Sequence, residues 1–138
     1  MQNIYKVFCD GGAMGNPGPA AAAFVVEVGG KVIAKEGKFL GKATNNVAEY
    51  QAAILALEWI VDNQNDLPAE ITFVHDSELI ARQLSGLYKI KNENLRNLYF
   101  SAKSLEQKIN SKINFVSVPR EHNKIADFLV KKILDENT

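Results

Sequence analysis

The segment Val47–Val61 limits the possible folds most, because it has the composition of a helix that is apolar on nearly all sides. It is rich in alanine, leucine and isoleucine, and Thr44 or Asn45 can cap its N-terminus. A helix of this kind is buried against other elements instead of lying on the surface with one polar face. The rest of the 138-residue chain must therefore supply the layers that cover it.

Strand and helix patterns alternate along the rest of the chain. Three strand patterns precede the apolar helix, and the pair Gly29-Gly30 predicts a tight hairpin between the second and the third. The predicted strands are Ile4–Cys9, Ala20–Val28, Lys31–Leu40, Ile71–His75 and Asn114–Val118. The predicted helices are Val47–Val61, Glu78–Leu84, Leu95–Ile109 and Lys124–Glu136. Because strands that flank a helix pair in parallel through right-handed crossovers, the order βββαβααβα predicts an α/β fold with a mixed five-stranded sheet flanked by helices.

Length and composition predict one domain that spans residues 1–138. The single cysteine, Cys9, excludes an internal disulfide, and the sequence has no run of about 18 apolar residues that could span a membrane. The N-terminal segment lacks the basic and apolar regions of a secretory signal, which favours a cytoplasmic location.

Charge is balanced overall but differs between the two parts of the chain. Residues 1–81 carry ten acidic and five basic side chains, and residues 82–138 carry six acidic and eleven basic ones. A protein that binds nucleic acid through its global charge would be strongly basic, so the balance argues against that class. An acidic pocket beside a basic surface is compatible with the same distribution.

Two aspartates follow predicted strands at one edge of the predicted sheet. Asp10 comes directly after the first strand, and Asp76 comes directly after the fourth. The binding site of an open α/β sheet lies beyond the carboxyl ends of its parallel strands, so parallel neighbours would bring both side chains to one rim. Either residue could instead be a turn aspartate that accepts hydrogen bonds from nearby backbone N–H groups.

Glu49 lies on an alanine face of the apolar helix, because Ala52, Ala53 and Ala56 follow it at helical spacing. Alanines allow another element to approach closely, and a carboxylate buried there is costly unless a cation or several donors compensate it. The alternative is a first-turn glutamate favoured by the helix dipole. That alternative does not explain the small neighbours, so we expect Glu49 to be functional.

Asp127 lies early in the last predicted helix, away from its apolar stripe. The residues predicted to form that stripe are Ile125, Phe128, Leu129 and Ile133. From spacing alone, Asp127 is expected to be solvated and to pair with Lys124 or Lys131.

Several carboxylates that converge at one rim repel each other unless a counter-charge is present. Hard divalent cations supply that charge, and a set of oxygen ligands suits magnesium or manganese. One cysteine and two histidines without zinc-site spacing argue against a soft-ligand site. The glycine-rich residues 11–18 are not followed by the Gly-Lys-Ser/Thr of a phosphate-binding P-loop.

Four sequence blocks, taken in order, resemble a known family. They read DGGAMGNPGP at residues 10–19, TNNVAEY at 44–50, HDSEL at 75–79 and REHNKIAD at 120–127. These blocks are similar to the ordered signatures of type 1 ribonuclease H, and LYKIKNENL at 87–95 adds to the match. The resemblance covers about residues 2–135, which is nearly the whole chain.

The resemblance implies a ribonuclease H-like fold and an endonuclease that cuts the RNA strand of RNA–DNA hybrids, leaving 3′-hydroxyl and 5′-phosphate ends. It implies that two Mg²⁺ ions, which Mn²⁺ can replace, activate a water molecule and stabilise the leaving oxygen. The catalytic, metal-holding acids that it implies are Asp10, Glu49, Asp76 and Asp127. The implied partner is the RNA–DNA hybrid, with no membrane and no obligate protein partner, and we expect a monomer.

The resemblance also implies contacts with the hybrid near its 2′-hydroxyls, which distinguish RNA from DNA. The residues that it assigns to these contacts are Gly11, Gly12, Asn16, Asn45 and Asn46. Asn16 could instead be a turn residue before Pro17, Asn45 could be a helix cap, and both roles can coexist.

The chain departs from the family pattern in several places. Glu78 stands where many members have a glutamine that contacts a base. The usual catalytic-loop histidine has no clear counterpart, and Arg120 is a better candidate than His122 to bind phosphate or assist product release, although either could be a plain loop residue. The basic protrusion and the extra hybrid-binding domain of some members are missing. The residues expected to form a reduced basic surface, or else a solvated loop, are Lys89, Lys91 and Arg96.

Two other functions are open at this point. A non-catalytic hybrid-binding module could share the same fold, but the presence of all four acids argues against it. The nuclease domain of a reverse transcriptase is the other alternative, and a chain that begins at Met1 without a linker argues against that one.

Overall fold

The computed structural model describes residues 4–138, which form five strands and four helices. The strands are β1 (Tyr5–Ala13), β2 (Gly18–Val28), β3 (Lys31–Ala43), β4 (Glu70–His75) and β5 (Lys112–Ser117). The helices are α1 (Asn45–Asp62), α2 (Glu78–Leu84), α3 (Glu93–Glu106) and α4 (Lys124–Asn137). Short 3₁₀ turns occupy Gln64–Asp66 and Arg120–His122. The predicted order of elements, βββαβααβα, is confirmed.

The five strands form one mixed sheet in the spatial order β3-β2-β1-β4-β5. The first three strands pair antiparallel as a meander, and β4 lies parallel to both β1 and β5. The crossovers through helices therefore produce the parallel pairs that the sequence predicts. Because β1 and β4 are neighbours, their carboxyl ends meet at the same edge of the sheet.

Helix α1 is the buried helix that its composition predicts. Its buried side chains join those of β1, β2 and β4 in the larger of two apolar clusters, on one face of the sheet. The hydroxyl of Thr44 accepts a hydrogen bond from the amide N–H of Val47 at 3.1 Å, so Thr44 is the N-cap and Asn45 is the first helical residue. The smaller cluster, on the other face, joins α4 to β2.

The first strand is longer than the sequence predicts, since it continues past Cys9 to Ala13. Asp10 therefore lies within the strand instead of in a turn after it. A Cβ atom at Gly11 would lie 2.2 Å from the carbonyl carbon and oxygen of Ala48, so the absence of a side chain lets α1 rest directly on the strand. A pair of glycines suggests a turn in the sequence, but here it permits close backbone approach within a strand.

The apolar stripe predicted for α4 is wrong in part. Ile125 and Phe128 are 47% and 63% exposed, while Leu129 and Ile133 are partly buried. The side chains that α4 buries are Ala126, Val130 and Leu134, and of these Val130 and Leu134 pack with Ala21 and Ala23 of β2. Small residues on both sides let the helix lie close to the sheet, which hydrophobicity alone does not predict. Asp127 consequently lies beside the buried face and not on the solvated side of the helix.

Other boundaries differ by a few residues. Helix α2 and the hairpin at Gly29 and Gly30 are confirmed, with the two glycines at positive φ angles of 57° and 81°. Helix α3 begins earlier than predicted because the side chain of Asn92 caps it by accepting from the amide N–H of Leu95 at 3.0 Å. Within residues 4–138, no helix is long and apolar enough to cross a membrane.

Candidate active site

Three carboxylates meet at the edge where β1 and β4 end. Asp10 lies in β1, Asp76 directly follows β4, and Glu49 projects from the second turn of α1. One oxygen of each carboxylate lies within 4.8 Å of the others. Asp10 and Glu49 are buried and Asp76 is half-buried. The fold thus brings together three of the four predicted acids from segments that are far apart in the chain.

Gly11 determines where the Glu49 carboxylate lies. The close approach of α1 to β1 allows the amide N–H of Gly11 to donate to Oε1 of Glu49 at 3.3 Å. Because α1 begins at Asn45, Glu49 lies beyond the first turn, where the helix dipole no longer accounts for an acidic residue. The contact with β1, together with its alanine neighbours, keeps Glu49 directed toward Asp10.

Burial and mutual repulsion make the negative charge of this cluster unfavourable. Burial, reinforced by the charges of Asp76 and Asp127, raises the pKa of Asp10 to about 7. Burial and the charge of Asp10 raise the pKa of Glu49 well above its ordinary value. Oε2 of Glu49 and Oδ2 of Asp76 are buried and have no hydrogen-bond partner in the part of the chain that the structure describes. Buried, unpartnered carboxylate oxygens fit a hard divalent cation, so the three acids could hold a metal ion.

Asp127 lines the same cleft but lies outside the cluster of three carboxylates found among residues 4–138. Its Oδ2 atom pairs with Nζ of Lys131 at 2.9 Å, and the two side chains are 24% and 68% exposed. The ion pair predicted from spacing alone is therefore present. An exposed pair one helical turn apart contributes only about 0.3–0.5 kcal/mol, so the carboxylate stays available to a divalent cation.

An open cleft of about 530 Å³ surrounds the carboxylates. The other predicted site residues that line it are Gly11, Gly12, Asn45, Asn46 and Arg120. His122 lies elsewhere, in a separate cavity of about 170 Å³ beside Phe8 and Ile125. Of the two candidates from the 3₁₀ turn, only Arg120 is therefore placed to reach a phosphate in the cleft.

Asn16 and Asn45 connect the first loop to the start of α1. Oδ1 of Asn16 accepts from the amide N–H of Asn45 at 2.9 Å, and Oδ1 of Asn45 accepts from the amide N–H of Ala13 at 2.9 Å. Both amide oxygens are thus used inside the protein. The two side-chain NH₂ groups are the parts that could donate to a ligand.

Sequence reasoning missed the positioning role of Asn123. This residue is 1% exposed, and its Nδ2 atom donates to the carbonyl oxygen of Cys9 at 2.8 Å, which joins the start of α4 to β1 beside Asp10. The amide N–H of Asp127 in turn donates to the carbonyl oxygen of Asn123 at 3.1 Å. An asparagine before a helix reads as a cap, so the sequence offers no signal for this contact across 114 positions.

We expect Asn123→Ala to lower the free energy of unfolding by about 1–3 kcal/mol, because it leaves the carbonyl group of Cys9 buried without its donor. The matched control is Asn137→Ala, since Asn137 donates to Ile133 from an exposed position in the same helix. That control is expected to change stability by less than about 0.5 kcal/mol. Urea unfolding measures both values, and equal losses would contradict the positioning role.

Comparisons with known proteins agree with the fold. A family profile described as reverse transcriptase-like matches residues 8–133. The solved structure of LC11-RNase H1 in complex with an RNA/DNA hybrid superimposes with a TM-score of 0.91 and 36% identity, covering 96% of this chain and 98% of that one. The chain belongs to the type 1 ribonuclease H family. As a type 1 ribonuclease H it has the expected compact form, with no helix in residues 85–92 between α2 and α3.

Two curated relatives extend the comparison. Ribonuclease HI of Halobacterium salinarum is 38% identical over 130 residues, which is 94% of this chain and 63% of that protein. A bifunctional protein of Mycobacterium tuberculosis is 40% identical over 129 residues, which is 91% of this chain and 34% of that protein. The chain thus spans about a third of the length of the second relative and less than two thirds of the first.

Proposed function

We propose that this type 1 ribonuclease H hydrolyses the RNA strand of RNA–DNA hybrids with two Mg²⁺ ions and leaves 3′-hydroxyl and 5′-phosphate ends. The observation that carries the proposal is the meeting of Asp10, Glu49 and Asp76 within 4.8 Å at the edge of the sheet. The ribonuclease HI relative and the hybrid complex of LC11-RNase H1 support the choice of substrate.

The carboxylates divide into an inner and an outer group. Asp10, Glu49 and Asp76 would hold the cations in the buried part of the cleft, and Asp127 would complete the set from its rim. Bound divalent cations supply charge stabilisation to the reacting phosphodiester and its leaving oxygen, and they favour an ionised water molecule. The guanidinium of Arg120, on the same cleft, would bind a phosphate of the RNA strand.

Discrimination of RNA from DNA would fall to the donors beside the metal site. The 2′-hydroxyl is the group that differs between the strands, and it accepts as well as donates hydrogen bonds. Because both amide oxygens of Asn16 and Asn45 bond within the protein, their NH₂ groups would face the hybrid as donors. Asn46 and the backbone of Gly12 line the cleft together with Asn45 and would contact the adjacent sugar and phosphate, whereas Asn16 lies outside the cleft lining and would meet the hybrid beyond it.

We expect the protein to cut a labelled RNA–DNA hybrid in the presence of Mg²⁺ and to leave it intact in EDTA. Both strands are labelled in separate reactions, and a DNA duplex of the same sequence is the control for strand choice. Degradation of the downstream fragment by an exonuclease that requires a 5′-phosphate identifies that end. Hybrid binding without turnover would favour the non-catalytic module, and cutting that persists in EDTA would contradict metal catalysis.

A further inference from the structure

We propose that Lys131 competes with the divalent cation for Asp127 and thereby raises the metal concentration at which the site loads. This inference rests on the proposed function, because it concerns the same carboxylates. Lys131 lines the cleft itself, although its charge is opposite to that of the carboxylates there. Competition for Asp127 would give this positive charge a role.

The geometry places Lys131 at the one acid that lies outside the inner cluster. Nζ of Lys131 lies 2.9 Å from Oδ2 of Asp127, and the two residues are one turn apart on α4. The order of acid before base along the helix is the favourable one for such a pair. Packing of Val130 and Leu134 against β2 fixes the helix, and the side chains of Asp127 and Lys131 both line the same cleft.

Charge explains why the pair forms at this position. Asp10, Glu49 and Asp76 each hold a carboxylate oxygen within 4.8 Å of the others at the edge of the sheet, and Asp127 lines the same cleft. An ammonium group on the rim reduces the repulsion among these carboxylates when no metal is present. A divalent cation that binds Asp127 competes with the ammonium group for Oδ2 and lies close to its positive charge.

Loss of the Lys131 charge should tighten the binding of the divalent cation by a small factor. An ion pair one helical turn apart corresponds to about a twofold change in an equilibrium constant. We therefore expect Lys131→Gln to bind Mn²⁺ about twofold more tightly than the wild-type chain, as measured by electron paramagnetic resonance of free Mn²⁺. The difference should shrink at high ionic strength, because exposed charges are screened by salt.

Lys132→Gln is the matched control. Lys132 is the next residue of α4, is also exposed, and takes part in none of the ion pairs formed within residues 4–138. The Lys132→Gln substitution removes the same charge from the same helix but leaves the ion pair with Asp127 in place. If the two variants bind Mn²⁺ with equal affinity, Lys131 acts only through its general positive charge, and the proposal is wrong. Weaker Mn²⁺ binding by Lys131→Gln than by the wild-type chain would also overturn it.

Removal of Asp127 separates competition from other effects of Lys131. In an Asp127→Asn background, the further change Lys131→Gln should no longer tighten Mn²⁺ binding beyond the effect of Lys132→Gln. A persisting gain would show that Lys131 acts elsewhere. Hybrid cleavage by the wild-type chain is measured alongside: cleavage without the affinity gain defeats this inference alone, whereas absence of metal-dependent cleavage defeats the proposed function.

Discussion

Replacing Asp10 with asparagine is expected to lower the rate of RNA cleavage by about 10³-fold or more. Asp10 is the acid that faces all the others, since the charges of Asp76 and Asp127 both act on it and Glu49 lies beside it. An amide removes one anionic ligand and donates where a cation needs an acceptor. Loss of metal charge stabilisation affects a barrier by several kcal/mol, and about 4 kcal/mol corresponds to 10³ in rate.

The same substitution is expected to stabilise the metal-free protein. The pKa of Asp10 is about 7 in the folded protein and 3.8 ordinarily, so the folded state retains a proton that the unfolded chain has lost between these values. The free energy of unfolding therefore falls as pH rises from about 4 to about 7 and is lowest above that interval. Asparagine removes the part of the fall that Asp10 causes, and we expect a gain of about 2–4 kcal/mol at pH 8 and almost none at pH 4.

Two measurements check this prediction. Single-turnover cleavage of the labelled hybrid gives the loss of activity, and urea unfolding in EDTA at pH 4 and pH 8 gives the change in stability. Asp135→Asn, an exposed residue of α4, is the matched control and should alter neither quantity. Near-normal activity in Asp10→Asn, or a loss of stability at pH 8, would contradict the assignment of Asp10 as a destabilised metal ligand.

Gly11→Ala is expected to have the largest effect on folding. The added Cβ atom would lie 2.2 Å from the carbonyl group of Ala48 and 2.5 Å from the amide nitrogen of Glu49, and these are main-chain atoms that no side-chain rotation can move. Helix α1 would have to shift away from β1, which opens the larger apolar cluster and moves Glu49. We expect a loss of more than about 4 kcal/mol, which is a large fraction of the roughly 5–15 kcal/mol by which native proteins are stable.

The neighbouring glycine provides the control for this prediction. A Cβ atom at Gly12 would meet its nearest neighbours, on Val130 and Asn45, at 3.9 and 4.0 Å, which is ordinary contact. Gly12→Ala should therefore fold with a stability within about 1 kcal/mol of the wild-type value. Thermal and urea unfolding compare the two variants directly, and similar stabilities would show that β1 and α1 are not in close backbone contact.

Local chemistry explains which parts of the fold the sequence predicts well. The hairpin at Gly29 and Gly30 and helix α2 depend on turn and capping residues that act over a few positions, and both are confirmed. The parallel pairing of β1 with β4 follows from the crossover through helix α1, which places Asp76 correctly beside Asp10. Glu49 is also predictable, because an acid on an alanine face requires a compensating partner.

Contacts between distant segments explain the features of the fold and the site that the sequence does not predict. The extension of β1 to Ala13 depends on its pairing with residues 20–23 of β2, which no residue near Gly11 signals. The buried face of α4 depends on alanines in β2 that admit a close helix, so the larger side chains Ile125 and Phe128 point outward against expectation. Asp127 reaches the cleft because of the same close packing of α4 on β2. Its spacing in the sequence does not predict this, and only the family resemblance indicates that it is a site residue.

A crystal soaked in Mn²⁺ and measured for anomalous scattering tests the metal site most directly. We predict an anomalous peak within coordination distance of the carboxylate oxygens of Asp10, Glu49 and Asp76, and a second peak on the side of Asp127 when a hybrid is bound. A map with no peak between the three inner carboxylates, at a Mn²⁺ concentration that supports cleavage in solution, would contradict the metal site proposed for this fold.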